Sequence, residues 1–125
     1  MSICSIHIDT SLPIINKEHL ELIVGPEIDE TKELLDDLVA LYIEENAPQI
    51  KDLAGAISQN DTEACIRHIH FIAGSSGNMG LSRLCKLCRS LESALRDNSL
   101  FPDKEMQTAI KGLHDESVAA YRALV

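Results

Sequence analysis

The chain has 125 residues, a length that suits one domain with its own hydrophobic core and is short for two. Hydrophobic residues make up 45% and charged residues 25% of the sequence, as in soluble globular proteins, and no apolar run is long enough to cross a membrane. Twenty acidic and eleven basic residues give a formal charge of −9, which disfavours nucleic acids and anionic lipids as partners and favours other proteins.

Apolar residues recur every three or four positions through most of the chain, a spacing typical of helices rather than strands. Residues 1–13 lack this pattern and are predicted to be irregular. They also lack the basic start and continuous apolar stretch of a secretory signal, so we expect a cytoplasmic protein with reduced cysteines. Asn16 is predicted to cap a helix of about two turns that runs to Val24, where Gly25 and Pro26 stop it.

A long helical segment is predicted to follow, from about residues 29–31 to the polar run at 58–61. Pro48 lies in its middle, so the segment is either one bent helix or two short ones. An apolar stripe continues across the proline and favours the bent helix. The stripe comprises Leu34, Leu38, Leu41, Tyr42, Ile50, Leu53, Ala54 and Ile57.

Three more helices are predicted in the second half of the chain. Asp61 can cap a helix from Thr62 to about Asn78, a fourth segment begins at Leu81 and ends at residues 97–99, and the last follows Pro102. The last two carry the apolar positions Leu84, Leu87, Cys88, Leu91 and Leu95, and then Met106, Ile110, Leu113, Ala120 and Leu124. Four long helices with short connections predict an all-α, antiparallel up-and-down four-helix bundle with an additional short N-terminal helix.

The helix at 62–78 has two distinct faces when it is drawn at roughly 100° per residue. The predicted core face carries Cys65, Ile69, Ile72 and Ser76, with Met79 just beyond the helix. The other face is centred on His70 and carries Glu63, Ile66, Arg67, Ala73, Gly74 and Gly77. His70 is therefore predicted to be exposed, beside helix turns that bear almost no side chains.

Two interpretations of the small residues beside His70 remain open. A helical glycine costs about 0.5–1 kcal/mol relative to alanine, so their retention indicates a surface that a partner must approach closely. Alternatively, the small residues only admit a neighbouring helix. An exposed imidazole is partly uncharged at neutral pH, and it can then attack an electrophilic phosphorus through a ring nitrogen. Phosphoryl transfer also needs charge neutralisation, and no cluster of carboxylates in this sequence would hold Mg²⁺ for it.

Other motifs predict less. Cys85 and Cys88 form a C-x-x-C pair inside an amphipathic helix, without the second pair of a zinc site, so packing is the preferred interpretation. The glycines of 74–80 are not followed by Gly-Lys-Ser/Thr, so no nucleotide-binding loop is predicted. His68 and His70 diverge around the helix, and no metal site is predicted for them.

The segment HFIAGSSGNMGL at 70–81, followed by Leu84, Leu87-Cys88 and Leu91-Glu92, resembles the histidine-containing phosphotransfer (HPt) domain family. The family pattern is a histidine with glycines four and ten residues later, which correspond to His70, Gly74 and Gly80. The stretch Ile43–Pro48 also resembles the acidic-Ala-Pro sequence of the family's preceding helix. The resemblance extends from about Ile14 to Leu124.

This resemblance implies an HPt bundle domain at residues 14–125 in which His70 accepts a phosphoryl group from a partner aspartate and passes it to a receiver-domain aspartate. The implied partners are response-regulator receiver domains, a hybrid sensor histidine kinase, or both. We expect a monomer that acts as a phosphotransfer intermediate, with no ATP site and no bound cofactor, and we expect the receiver to bring Mg²⁺. The predicted docking residues are Ile66, Ala73, Gly74 and Gly77.

The sequence departs from the family at one position near the histidine. HPt domains commonly have a lysine three residues after the histidine, whereas this chain has Ala73. We expect Arg67, one turn before His70 on the same face, to provide the missing cation. The alternative is a non-catalytic HPt-like helical adaptor that docks receiver domains without efficient transfer.

Overall fold

A computed structural model of the chain describes residues 6–25 and 32–124. These ranges contain five α-helices and no strand. The helices are α1 (Lys17–Val24), α2 (Lys32–Ser58), α3 (Thr62–Asn78), α4 (Ser82–Arg96) and α5 (Lys104–Arg122). The all-α prediction is confirmed, while the predicted start of the long helix at 29–31 lies outside the described residues. None of the helices in these ranges is both long and apolar enough to span a bilayer.

The four longer helices form a closed ring of neighbours, in which α2 packs on α3, α3 on α4, α4 on α5 and α5 on α2. The side chain of His68 contacts Gln49, with 2.8 Å between Nδ1 and Oε1. Asn46 donates to Ser75, with 2.7 Å between Nδ2 and Oγ. Later residues of α2 thus lie beside earlier residues of α3, so these two helices are antiparallel.

The hydrophobic core receives side chains from all five helices. Burying one Leu or Ile side chain contributes about 1.5–3 kcal/mol, so a core of this kind supplies the main driving force for folding. Leu20 of α1 is among the buried residues, which shows that the short helix is packed onto the bundle. The largest fully buried side chains are Leu20, Leu35, Leu53, Ile69, Ile72, Leu81, Leu84, Leu87, Leu95, Met106, Ile110 and Tyr121.

The long helix α2 continues through Pro48, which confirms one helix rather than two. Its predicted apolar stripe is partly wrong, because Leu34, Leu41 and Ala54 are exposed. The buried positions are Leu35, Val39, Tyr42, Asn46, Ile50, Leu53 and Ala56. The sequence contains adjacent apolar pairs at 34–35, 38–39 and 41–42, and helical spacing alone does not decide which member of each pair faces the core.

Polar caps fix where several helices begin. The side chain of Asn16 accepts a hydrogen bond from the backbone N–H of His19, and that of Asp61 accepts one from Ala64. Both caps were predicted, and such a cap stabilises a helix by about 0.5–2 kcal/mol because it satisfies an otherwise unpaired N–H group. Asp103 caps α5 in the same way by accepting from Glu105.

The C-terminal end of α3 is also its junction with α1. Gly80 has a φ of +72°, and the N–H of Leu81 returns to the carbonyl of Ser76 at 2.9 Å. This left-handed turn is a Schellman cap. The N–H of Asn16 donates to the carbonyl of Gly80 at 2.7 Å, so the start of α1 is attached directly to the end of the helix that bears His70.

Candidate functional site

His70 lies in the middle of α3 and projects away from the core. Its side chain is 60% exposed. The core positions predicted for this helix are all buried: Cys65, Ile69, Ile72, Ser76 and Met79. The predicted exposure of the imidazole is therefore confirmed. His68, two residues earlier, turns toward α2 and contacts Gln49.

The imidazole of His70 contacts a carboxylate on the neighbouring helix α4. Nδ1 lies 2.9 Å from Oε2 and 3.1 Å from Oε1 of Glu92. An ionised carboxylate can only accept hydrogen bonds, so Nδ1 carries the proton and donates it to Glu92. In the neutral ring the lone pair is then on Nε2. The contact thus selects the tautomer in which Nε2 carries the free lone pair.

Glu92 is itself held by two arginines of α4. Its side chain is only 10% exposed, and Nε and Nη2 of Arg96 lie 3.0 and 2.8 Å from Oε2. Nη1 of Arg89 lies 3.7 Å from Oε1. Burial disfavours the charged form of Glu92, but hydrogen bonds from Arg96 and His70 outweigh this effect and lower the pKa of the carboxyl group. Glu92 is therefore ionised at neutral pH.

The segment that resembles the HPt family includes Glu92, but the sequence pattern does not indicate its contact with His70. One signal could have identified it, because Glu92 is a charged residue next to the apolar positions Leu91 and Leu95 of α4. The side chain reaches His70 because α4 runs antiparallel to α3. A second contact also shows that the two helices are antiparallel, because Gly77, later in α3 than His70, lies next to Cys85, earlier in α4 than Glu92.

The two glycines that follow His70 differ in their surroundings. A Cβ atom added to Gly74 would meet no other atom within 4 Å, so Gly74 leaves open surface one turn from the imidazole. A Cβ added to Gly77 would lie 3.2 Å from Sγ of Cys85. Gly77 thus admits the neighbouring helix α4, whereas Gly74 has no packing role of this kind. Each of the two interpretations left open by the sequence applies to one glycine.

Ala73 does not lie on the accessible face, and this prediction was wrong. The residue is completely buried. It lies on α3 between His70 and Gly77, which lie beside Glu92 and Cys85 of α4, so α4 is the helix packed along this part of α3. A helical wheel shows the direction of a side chain but not how far the next helix extends over it. Ile66 and Gly77, on the same edge, are half-buried.

Arg67 is exposed on α3, as expected of a residue on the face of His70. It lines a shallow depression between α3 and α4, and Arg96 lines the same depression from the other helix. Two arginines therefore border the same depression. The sequence pattern predicted the first of them and did not indicate the second.

Exposed apolar side chains lie on three adjacent helices. Phe71 follows His70 on α3 and is 40% exposed. Leu34 and Leu41 on α2 are 43% and 52% exposed, and Leu22 on α1 is 85% exposed. Of these side chains, Phe71 is the one adjacent to His70 in the sequence.

The remaining chemical candidates have structural explanations. Within the described ranges, no group of three or more His, Cys, Asp or Glu side chains is arranged to hold a metal ion. Cys65, Cys85 and Cys88 are free thiols. Burial raises the pKa of the Cys88 thiol, which makes it a packing residue rather than a nucleophile, as the sequence predicted.

A family model described as Hpt domain matches residues 37–120, a range that contains His70, Glu92 and Arg96. Searches of curated proteins and of solved structures gave no match. The family match agrees with the resemblance found in the sequence and supports a phosphotransfer role in two-component signalling, with receiver or kinase partners. It covers well over half of the chain, and this chain therefore belongs to the Hpt domain family.

Proposed function

We propose that this chain is a phosphorelay intermediate that carries the phosphoryl group on Nε2 of His70. It accepts the group from an aspartyl phosphate of a partner and passes it to the aspartate of a receiver domain. The observation that carries the proposal is the hydrogen bond from Nδ1 to Glu92, which leaves the free lone pair on Nε2 of an exposed imidazole.

The chemical step needs no proton transfer. The lone pair of Nε2 attacks phosphorus in line, and the bond from phosphorus to the aspartyl oxygen breaks, so that oxygen leaves with the electron pair as a carboxylate. The ring then bears a proton on Nδ1, phosphorus on Nε2 and a positive charge. Glu92 lies against that charge and stabilises it. Attack by a receiver carboxylate on the same phosphorus reverses the step and regenerates the neutral imidazole.

The phosphoryl oxygens need cations in addition to the nucleophile. We propose that Arg67 supplies one of them in place of the lysine that the family commonly has at the position of Ala73. An exposed arginine has the reach and the donors to bind phosphoryl oxygens. The receiver is expected to bring Mg²⁺ with its own carboxylates.

Docking is proposed to use the surface around His70. Gly74 permits close approach of a partner backbone, and the half-buried Ile66 and Gly77 border it. Phe71 adds apolar area next to the reacting group. Aromatic side chains near the centre of an interface often dominate its binding energy, so Phe71 is the residue we expect to anchor the partner.

The experiment is incubation of the chain with a phosphorylated receiver domain and Mg²⁺. We expect acid-labile phosphate on the wild type and none on His70→Gln. His68→Gln is the matched control, because His68 lies on the same helix but contacts Gln49 of α2, and this variant should be labelled normally. A chain that binds the receiver and stays unlabelled would be the adaptor, and the relay proposal would be wrong.

A further inference from the structure

The carboxylate of Glu92 lies between the imidazole of His70 and two guanidinium groups. Oε2 accepts hydrogen bonds from Nε and Nη2 of Arg96, at 3.0 and 2.8 Å. Nδ1 of His70 lies 2.9 Å from the same oxygen. Arg89 is farther away, at 3.7 Å from Oε1. Arg96 therefore competes directly with His70 for one carboxylate oxygen.

We propose that Arg96 is a positioning residue for phosphoryl transfer, which acts through Glu92 and limits how strongly this carboxylate holds a proton on the imidazole. The inference rests on the proposed function of His70. It assigns to Arg96 a role that differs from the one proposed for Arg67, which would bind the phosphoryl group itself.

The chemical reason lies in the two demands that transfer makes on the ring. Glu92 must hold the Nδ1–H tautomer, so that Nε2 has the lone pair. However, a carboxylate without a countercharge also stabilises the doubly protonated imidazolium, which has no lone pair and cannot attack phosphorus. A guanidinium on the same oxygen takes part of the negative charge. Arg96 thus shares the negative charge of Glu92 while Glu92 orients the ring.

The charged groups near His70 are arranged so that Glu92 can hold the Nδ1 proton while Arg96 shares the charge of the carboxylate. On α4, Glu92 contacts the imidazole, while Arg89 and Arg96 contact Glu92. On α3, the charged residues in the two turns before His70 are Glu63 and Arg67, both exposed. The hydrogen bonds that α2 makes to α3 come from uncharged amide side chains and lie away from the imidazole. Glu92 and Arg96 are four residues apart on one helix, with the acid first, which is the favourable order for such a pair. Since Arg96 is more than half exposed, its removal is expected to leave the fold intact.

The test compares wild type, Arg96→Ala, Arg96→Lys and Arg67→Ala. The rate of phosphoryl acceptance from a phosphorylated receiver is measured across pH, and ¹⁵N NMR of the unphosphorylated imidazole reports its protonation. For Arg96→Ala we expect the rising limb of the rate profile to move to higher pH, with a loss of about three- to tenfold at slightly acidic pH. Rates should converge with wild type at alkaline pH, where the ring is neutral in both proteins. Arg96→Lys should restore most of the profile.

The ¹⁵N spectra supply the readout that a structural or docking role would not change. Near neutral pH, Arg96→Ala should contain more doubly protonated ring than wild type, whereas Arg67→Ala should match wild type. An unchanged spectrum and pH profile in Arg96→Ala would overturn the inference, as would a uniform loss of rate at every pH. Should wild type not be labelled at all, the proposed function fails, while the spectra still decide whether Arg96 controls the ring.

Discussion

Gly74 is the residue beside His70 whose role can be separated most clearly from stability. A helical glycine destabilises by about 0.5–1 kcal/mol relative to alanine. Because a Cβ at Gly74 would meet open space, Gly74→Ala should raise the free energy of unfolding by about this amount. The same methyl group would intrude on a docked partner, so the rate of phosphoryl acceptance should fall, and Gly74→Leu should lower it further. Denaturant unfolding and receiver labelling measure the two effects.

Gly55 provides the matched control for this prediction. It also lies inside a helix with no atom within 4 Å of its added Cβ, but on α2. Gly55→Ala should bring the same gain in stability and leave the labelling rate unchanged. If Gly74→Ala and Gly55→Ala transferred equally fast, close approach of a partner at Gly74 would not be needed.

At the same scale, the sequence predicted what depends on one helix and missed what depends on two. The exposure of His70 followed from the spacing of apolar residues on α3. The partner of its ring, Glu92, is 22 residues away, and only the packing of α4 on α3 brings the two together. The burial of Ala73 likewise depends on how the helices pack together and not on α3 alone.

At the scale of the helices, α2, α3 and α4 end in the same type of turn. In α2, α3 and α4 the second residue after the helix has a positive φ, at Asn60 (53°), Gly80 (72°) and Asn98 (61°). The next N–H then returns to a carbonyl five residues back, at 2.9 Å in each case. The sequence predicted the ends of α2 and α4 from the polar runs at 58–61 and 97–99, because such residues favour turns, and placed the end of α3 at about Asn78 without assigning a role to Gly80 there.

Gly80 is the cap with the least tolerance for a side chain. An L-residue in the left-handed region is destabilised by roughly 1–2 kcal/mol. A Cβ at Gly80 would also lie 3.2 Å from Cδ2 of His19 and 3.3 Å from the carbonyl oxygen of Asn16. Gly80→Ala should therefore lower the free energy of unfolding by roughly 1–2 kcal/mol from the backbone conformation alone. The close contacts of the added methyl group should increase this loss. Denaturant unfolding measures it.

The two asparagines with a positive φ, Asn60 and Asn98, allow the reverse substitution, in which glycine is introduced. Asn60→Gly and Asn98→Gly place the residue best suited to a positive φ at positions that already have it, so both should be neutral or stabilising. A stable Gly80→Ala protein would show that the junction between α1 and α3 can relax around a methyl group.

At the scale of the whole molecule, the ring of helices separates the exposed His70 from a buried histidine, His114. His70 lies on the seam of α3 and α4, whereas His114 of α5 is packed against Tyr42 of α2. The ring centroids of His114 and Tyr42 are 5.4 Å apart, and the hydroxyl of Tyr42 lies 3.2 Å from Nδ1 of His114. Burial raises the pKa of Tyr42, so its hydroxyl stays protonated and donates to the neutral imidazole.

The stability of the bundle should therefore decrease in mild acid. Burial lowers the pKa of His114, while nearby Asp115 opposes and Lys111 supports the shift. Below its ordinary pKa of 6.5, the unfolded chain binds a proton that the folded chain takes up only at lower pH. The contribution of His114 is thus complete above the unfolded pKa and is lost as pH falls toward and through the folded pKa. Denaturant unfolding between about pH 7.5 and about pH 5 should show this loss in wild type. His114→Phe keeps a ring against Tyr42 but cannot titrate, so this variant should lose less stability over that interval. Equal losses in the two proteins would show that His114 is not the group responsible.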